Sequence, residues 1–212
     1  MSGEPYIAAE DSAFFREALS SYSGESCLEI GAGNGGSLVQ LSRRFGVVVG
    51  TDVVRPTMTD WGRKGADFVL AEYASCLRDS WFDLVAFNPP YLGSEVTGDQ
   101  TVDGGVELEV PMNFLREALR VVKASGRVVM LLNDEARRED FERECSKNGF
   151  GLRLLAARRV FFEELSVYEA SQQVPLGLPR SRGSSGGPVQ SSPGPRRGGR
   201  CSSRRRSGRP RR

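Results

Sequence analysis

The tetrapeptide Asn88-Pro89-Pro90-Tyr91 follows an apolar run, Phe82–Phe87, that predicts a buried strand. Neither proline can donate a backbone hydrogen bond to a sheet, so the strand must end there. The Asn88 oxygen and the Pro89 carbonyl can accept the two N–H bonds of a planar amino group, while Tyr91 packs against its flat face. This pattern favours methyl transfer to such a nitrogen, which needs positioning rather than a strong base. The competing interpretation is an ordinary turn at the end of a strand.

A glycine-rich bend, Gly31–Gly36, lies upstream between a predicted strand and a predicted helix. Glycines at this position let the backbone approach a ligand closely. Dinucleotide binding is the obvious competitor, but the G-x-G-x-G-G spacing lacks the third glycine of that pattern. Glu29, just before the bend, would repel a pyrophosphate and suits the positive amino-acid end of another cofactor. We therefore expect a cofactor other than a dinucleotide.

Two more carboxylates follow predicted strands. Asp52 comes about twenty residues after the bend, where it can accept both hydroxyls of a ribose. Its alternative role is that of a common aspartate at a strand end. Glu72 follows the third predicted strand and can reach an adenine amino group, although a solvated loop carboxylate is an equal interpretation. The ends of parallel strands would gather these groups at one edge of a sheet.

The apolar segments that must position these residues alternate between strand and helix patterns over residues 1–170. Such alternation predicts right-handed crossovers and a doubly wound α/β domain with a mostly parallel, seven-stranded sheet and an antiparallel closing hairpin. Residues 1–10 are expected to be an extended lead-in, Gly46 a helix C-cap and Ser125-Gly126 a turn. The predicted helices are 13–20, 37–45, 56–64, 112–123 and 134–148, and the predicted strands are 27–30, 47–51, 68–71, 82–87, 127–132, 151–159 and 164–170.

Charge divides the 212-residue chain in two. Residues 1–170 hold 18 basic and all 27 acidic residues, a net charge of −9, which disfavours docking on nucleic acid. Residues 171–212 are rich in Arg, Gly, Ser and Pro and hold eleven arginines without an acid, so we expect a disordered tail. This tail is either a nucleic-acid-binding extension or simply a solvated basic segment.

The reactive residue types exclude several kinds of chemistry. There is no histidine, and the four cysteines (Cys27, Cys76, Cys145 and Cys201) form no C-x-x-C pair, so neither a metal site nor a histidine-based triad is expected. No apolar run approaches the ~18 residues of a membrane span, and the N-terminus does not resemble a secretory signal. A cytoplasmic location with free thiols is the expectation.

Together the bend, Asp52 and Asn88–Tyr91 resemble the class I S-adenosylmethionine-dependent methyltransferases that modify planar amino groups. Within them, residues 5–170 resemble the short HemK-type group of archaea and eukaryotes, which methylates the glutamine in the Gly-Gly-Gln loop of peptide release factors. Further support comes from Tyr6–Ser12, Asp103-Gly104-Gly105 and Phe161–Leu165. The segment after Gly105 lacks the next glycine that this group has, and that difference concerns the substrate loop.

The resemblance implies S-adenosylmethionine as cofactor, held by Ser12, Glu29, Gly31, Gly33, Asp52, Glu72 and Asn88, with Asn88, Pro89 and Tyr91 at the catalytic position. It also implies a release factor as substrate and a small zinc-binding activator protein added to a sheet edge. The alternatives are N6-adenine or N2-guanine methylation of nucleic acid, protein-lysine methylation and a non-catalytic scaffold. Nucleic acid could bind only through the basic tail, and no membrane partner is expected.

Overall fold

The computed structural model describes residues 4–55, 65–90, 109–134, 136–160 and 163–173, with residues 4–9 described by their backbone alone. All lie in the first of two compact units, Met1–Val174. None of the helices in these ranges is both long and apolar enough to cross a membrane. The elements are α1 (Glu4–Leu19), β1 (Gly24–Ile30), α2 (Gly36–Leu41), β2 (Phe45–Asp52), β3 (Asp67–Leu70), β4 (Phe82–Phe87), α3 (Glu109–Val121), β5 (Val122–Leu132), α4 (Arg138–Lys147), β6 (Phe150–Val160) and β7 (Glu163–Gln172).

The strands form one seven-stranded sheet in the order β3-β2-β1-β4-β5-β7-β6. Strands β1 to β5 are parallel to their neighbours, whereas β7 runs antiparallel to both β5 and β6. The predicted doubly wound sheet with an antiparallel closing hairpin is therefore confirmed. The order reverses direction at β1, so β4 lies beside β1 on the side away from β2. Ligands of such sheets bind at this reversal point, beyond the carboxyl ends of the strands.

Helices cover both faces of the sheet. Helices α1 and α2 pack on one face in a buried cluster that includes Ala86 and Leu131. Helices α3 and α4 pack on the other face in a cluster that includes Phe87, Met130 and Leu132. Alternate residues of a strand point to opposite faces, which is why neighbours in sequence belong to different clusters. The apolar strands thus bury both sides, as continuous apolar runs predict.

The first helix begins earlier than predicted. Residues 4–10, expected to be an extended lead-in, form the first turns of α1. Pro5 occupies the first turn, where its missing N–H costs nothing, and the following alanines favour helix. Strand β7 also runs to Gln172, two residues beyond the predicted boundary at 170. The predicted helix at 56–64 and residues 174–212 of the predicted tail lie outside the described residues.

Two glycines do not have their predicted roles. Gly46 lies within β2 instead of capping a helix, because α2 ends at Leu41 and the buried Phe45 already belongs to the strand. Ser125-Gly126, predicted to be a turn before β5, lies within that strand as an irregularity of its pairing with β4. A Cβ on Gly126 would come within 2.9 Å of the Phe82 carbonyl oxygen, so the glycine permits this close packing.

A polar network ties the amino ends of three strands together. The Asp83 carboxylate of β4 accepts hydrogen bonds from the backbone N–H groups of Glu25 and Ser26 and from Lys123. Burial raises the pKa of Asp83, but the hydrogen bonds from Lys123 and Ser26 outweigh that effect and lower it. These contacts hold β1, β4 and β5 in register far from the predicted site. A second network surrounds Glu169 of β7, which pairs with Val129 of β5.

Glu169 is buried and accepts hydrogen bonds from the Tyr22 hydroxyl at 2.6 Å, from Arg153 at 2.9 Å and from Arg127 at 3.2 Å. Burial raises the pKa of Glu169, and these three donors together lower it below its ordinary value. A cavity of about 650 Å³ opens beside this network and is lined by Ala18, among others. No residue of the predicted cofactor site lines it.

Candidate active site

Three strands end side by side where the site is predicted. Ile30 of β1 pairs with Thr51 of β2 on one side and with Phe87 of β4 on the other. Glu29, Asp52 and Asn88, each next to one of these residues, therefore lie at the same carboxyl edge. Strand alternation also places all three on the face that α1 and α2 cover. The structure thus brings together a carboxylate pair and the asparagine that the sequence predicted to act with it.

The glycine bend is fixed to the end of β2. Gly31 and Gly33 have φ values of +72° and +50°, a left-handed conformation that side chains disfavour. The N–H groups of Gly31 and Ala32 both donate to the Thr51 carbonyl, at 2.8 and 3.0 Å. The Gly33 N–H donates to Asp52 at 2.9 Å. These bonds hold the backbone of the bend directly against the end of the neighbouring strand.

Glu29 is a buried acid with one oxygen left unpaired. Its side chain is buried and its Oε2 atom finds no hydrogen-bond partner among the described residues. Burial raises the pKa of Glu29 to about 8, against the lowering effects of a hydrogen bond from Ser37 and the nearby Arg16. The carboxylate of Asp52 raises it further. Burial thus favours the neutral form of the group, and a nearby cation would favour the charged form.

The Asp52 carboxylate is oriented by the backbone. Its Oδ2 accepts the Gly33 N–H, and its Oδ1 accepts the Val54 N–H at 2.9 Å. Each oxygen retains a further lone pair, and the side chain is half-buried at the sheet edge. A carboxylate held this way can accept two hydroxyl groups without first adopting a new rotamer. This geometry suits the ribose role predicted for Asp52.

Glu72 lies two residues beyond the end of β3, and its side chain is exposed. Leu70 pairs with Asp52, so Glu72 belongs to the same carboxyl edge. The segment after it is held by Arg120 of α3, which donates to the carbonyl oxygens of Ala74 at 2.8 Å and Leu77 at 2.9 Å. The structure places Glu72 near the predicted site. Its described contacts do not distinguish a residue that binds adenine from a solvated loop carboxylate.

Phe114 of α3 connects three parts of the site from the opposite face of the sheet. Its ring lies 5.1 Å from that of Tyr73, next to Glu72, and 5.7 Å from that of Phe87, next to Asn88. A Cβ on Gly31 would come within 2.9 Å of it. The sequence identified Phe114 only as an apolar helix residue. Its amphipathic helix pattern could not show which strand ends it would contact.

The remaining predicted site residues fall into two groups. Ser12 lies on α1 one helical turn before Arg16, whose guanidinium approaches Gly36 at the start of α2, so this face of α1 borders the bend. Asn88 is half-buried and Pro89 is buried at the end of β4. Tyr91 lies outside the described residues. So do Asp103-Gly104-Gly105 and the first two residues of Phe161–Leu165.

Sequence reasoning missed two polar residues of the site. Ser37 donates a hydrogen bond to Glu29, and Arg16 lies close enough to lower the pKa of that acid. Ser37 directly follows the bend at the start of α2, so its position could have suggested this contact. Arg16 lies on α1, twenty residues before Gly36 in the sequence. No local sequence pattern connects the two residues.

Comparisons with known proteins were made for both the sequence and the fold. No protein-family model matches the sequence, and no curated protein is significantly similar to it. The fold is similar to that of the E. cuniculi Mtq2–Trm112 complex, which methylates the translation termination factor eRF1. That match has 24% sequence identity and a TM-score of 0.64, and it covers 77% of this chain and 96% of the other.

Two further solved structures carry bound ligands. The T. thermophilus 16S rRNA N2 G1207 methyltransferase, in complex with AdoMet and guanosine, matches at 20% identity with a TM-score of 0.54, over 82% of this chain and 44% of that one. A putative methyltransferase from Streptococcus mutans, in complex with SAH, matches at 16% identity with a TM-score of 0.51, over 80% and 99% of the two chains. The chain described here therefore has the Rossmann-like fold that these methyltransferases share.

Proposed function

We propose that this protein transfers a methyl group from S-adenosylmethionine to a planar amino group. The acceptor that we favour is the side-chain amide N5 of the glutamine in the Gly-Gly-Gln loop of a peptide release factor. One observation carries the proposal: Asn88 and Pro89 directly follow β4, which pairs with β1, and they lie on the same carboxyl edge as Glu29 and Asp52. A cofactor at the two carboxylates would face the asparagine.

The residues at the edge fit this cofactor. The unpaired Glu29 oxygen suits the ammonium group of its amino-acid end, and Asp52 has lone pairs for its ribose hydroxyls. Gly33 keeps the backbone open for close approach, and Gly31 lets the bend pack against the Phe114 ring. Ser12 borders the bend from α1 and Glu72 follows β3. When bound, S-adenosylmethionine supplies an electrophilic methyl group.

The protein's own task at the acceptor is positioning. The amide nitrogen of glutamine is a poor nucleophile because its lone pair is delocalised into the carbonyl group. The Asn88 side-chain oxygen and the Pro89 carbonyl accept its two N–H bonds, which builds electron density on the nitrogen and directs its lone pair. The role that we propose for Tyr91, which lies outside the described residues, is to pack against the planar group. Once methylated, the amide nitrogen is strongly acidic and loses one proton to water by way of the oxygen that accepts its N–H bond. No general base is therefore required, in keeping with a chain that has no histidine.

Two observations support a protein acceptor. Residues 1–170 carry a net charge of −9, which repels a phosphate backbone and favours a basic protein surface. The E. cuniculi complex, similar in fold, methylates a translation termination factor. Protein lysine is a weaker candidate, because a lysine amine is not planar and has no adjacent π-system for these contacts.

We also propose a small protein partner at the β3 edge of the sheet. This strand has only four residues, and the sheet ends with it. Large apolar side chains lie exposed nearby: Val53 at 49%, Val54 at 50% and Leu70 at 56% exposure. An added strand would cover both the open backbone and these side chains. The E. cuniculi structure is likewise a complex with a second protein, Trm112. The resemblance implies a zinc-binding activator.

The test is incubation of the full chain with radiolabelled S-adenosylmethionine and a release factor, alone and with a co-expressed activator. The control is the same factor with its Gly-Gly-Gln glutamine changed to alanine. We expect label on the first factor only. Equal labelling of both factors, or of neither, would contradict the assigned acceptor.

Asn88→Ala separates catalysis from a scaffold role. We expect transfer to fall at least about 100-fold, the usual cost of a lost transition-state contact, while cofactor affinity stays largely intact. Unchanged transfer would favour a non-catalytic role for this tetrapeptide.

The second candidate function is methylation of adenine N6 or guanine N2 in nucleic acid. The bound guanosine of the T. thermophilus enzyme, similar in fold, favours it. It requires a basic surface, and the eleven arginines of residues 171–212 are the obvious source. Transfer to RNA or DNA that disappears when this segment is removed would support this function over the first.

A further inference from the structure

Asn133 is an asparagine at the end of a strand, as Asn88 is, and the sequence did not identify it. It directly follows β5, which ends at Leu132. Strand β5 is the parallel neighbour of β4, and Phe87 pairs with Met130. Asn133 therefore lies at the same carboxyl edge as Asn88, about two residues further along the adjacent strand.

Both asparagines fall on the same face of the sheet. Ala86 and Leu131 belong to the cluster that α1 covers, whereas Phe87 and Leu132 belong to the opposite cluster. Continued alternation returns Asn88 and Asn133 to the α1 face, where Glu29 and Asp52 also lie. Asn133 is thus on the side of the sheet where the acceptor would enter.

The side chain of Asn133 is held in one orientation. It is 7% exposed, and its Oδ1 accepts the Ala136 N–H at 3.2 Å. The Ala136 N–H also lies 3.2 Å from the backbone carbonyl of Asn133, so it is shared between two oxygens of this residue. The contact places the side-chain oxygen at the turn and directs the NH₂ group elsewhere. Among the described residues this NH₂ group donates to no partner. It is not one of the buried side-chain atoms that lack a partner, so it is open to an incoming ligand.

We propose that the Asn133 NH₂ group donates a hydrogen bond to the carbonyl oxygen of the glutamine amide that accepts the methyl group. The inference rests on the proposed function and names a residue that selects the acceptor. The Asn88 and Pro89 oxygens accept the two N–H bonds of the amide, and the Asn133 NH₂ group donates to the amide oxygen. A lysine amine has no such oxygen, so it would leave the Asn133 donor unpaired and be disfavoured.

The chemistry also predicts which kinetic constant depends on Asn133. A hydrogen bond to an amide oxygen is strongest while the nitrogen lone pair is delocalised into the carbonyl group. Methyl transfer draws that lone pair away, so the bond is weaker in the transition state than in the ground state. Asn133 is therefore expected to serve binding, and its loss should raise the KM for the acceptor more than it lowers kcat.

The decisive variant is Asn133→Asp, tested in the full chain under the conditions that give transfer by wild type. The aspartate keeps an oxygen for the Ala136 N–H and loses the NH₂ donor. We expect the KM for the release factor to rise at least about tenfold, kcat to change less than about threefold, and cofactor affinity to stay the same. A matched control is Asn148→Asp, the same change at an exposed site at the end of α4.

Two further measurements keep the inference open to rejection. If Asn133→Asp fails to fold, Asn133→Ser keeps a hydroxyl for the turn and is too short to reach the acceptor, so it should show the same rise in KM. A release factor with lysine in place of the glutamine should be a poor acceptor for wild type, with less discrimination in Asn133→Asp. An unchanged KM in a folded variant overturns the inference while the Asn88 result stands. No transfer by wild type to the glutamine rejects the proposed function itself.

Discussion

At the scale of single residues, Glu29 combines burial with an unsatisfied oxygen. Its neighbours Ser37 and Arg16 lower its pKa, yet burial dominates and raises it to about 8. A further positive group near this acid would add to the effects of Ser37 and Arg16 and favour its charged form. The protein is therefore less stable with an acid at this position than it would be with a neutral residue.

Glu29→Gln tests this cost. The pKa of Glu29 is about 8 in the folded chain and 4.5 ordinarily, so folding favours its neutral form. Its contribution to stability is complete below pH 4.5 and is lost as the pH rises through 8. We expect the unfolding free energy of wild type to fall relative to the variant by about 1.4 kcal/mol per pH unit between pH 5 and 8. Urea denaturation across this range measures it.

The control is Glu25→Gln, which removes an exposed carboxylate from the same strand. Parallel stability curves for wild type and Glu29→Gln would show that the buried acid does not titrate as described.

The sequence singled out Glu29, Asp52 and Asn88 by residue type and position. All three lie at the ends of strands, and parallel strands bring such ends together. Asn133 also follows a strand, and Ser37 begins the helix after the bend. Both were missed, because serine and asparagine are common at turns and carry no distinctive spacing. Arg16 depends on the packing of α1 against the bend, which local sequence cannot reveal.

At the scale of elements, the glycine bend and α3 are fitted to each other across the end of β1. Gly31 leaves the space that the Phe114 ring occupies, and the same ring contacts Tyr73 and Phe87. A single ring of α3 thus contacts the bend, the segment after β3 and the end of β4.

Gly31→Ala and Gly33→Ala form a matched pair for this fit. Both have positive φ values, which cost an alanine about 1–2 kcal/mol. Only at Gly31 would the new Cβ meet a ring, at 2.9 Å, whereas at Gly33 nothing lies within 4 Å. We expect Gly31→Ala to destabilise the protein by about 1–3 kcal/mol more than Gly33→Ala. Urea denaturation without cofactor measures the difference, and equal losses would disprove the contact.

Elements were predicted most accurately where apolar runs were continuous. The bounds of β4 match the predicted strand at 82–87, and Gly149, with a φ of +79°, ends the segment after α4 as expected. Two glycines misled the interpretation. Gly46 and Gly126 lie within strands, where an added Cβ would come close to the backbone of a neighbouring strand.

At the scale of the whole molecule, charge and composition separate two regions. The acidic residues 1–170 contain the predicted site, and the basic residues 171–212 carry the arginines. Regular structure ends slightly later than the predicted residue 170. Strand β7 continues to Gln172, and the Gln173 N–H donates to the Gly149 carbonyl at 3.1 Å. The fold class was predictable because alternating strand and helix patterns permit few topologies.

Truncation separates these regions. A chain ending at Val174 keeps every described pair of β7, so we expect its urea midpoint to equal that of the full chain. A chain ending at Ala170 loses the pairs of Ser171 and Gln172 with β6 and should be less stable by about 1–2 kcal/mol. The chain ending at Val174 should retain release-factor methylation. A lower midpoint for the chain ending at Val174 would show that the basic segment contributes to folding.

Acidic residues of the sheet respond to falling pH in opposite ways. Asp83 and Glu169 have lowered pKa values, so their contributions to stability are lost as the pH falls. Glu29, at the predicted site, becomes easier to bury as it is protonated. Acidification therefore weakens the networks around Asp83 and Glu169 and relaxes the predicted site. A single titration curve would record the sum of two opposed effects, and a modest net change would conceal both.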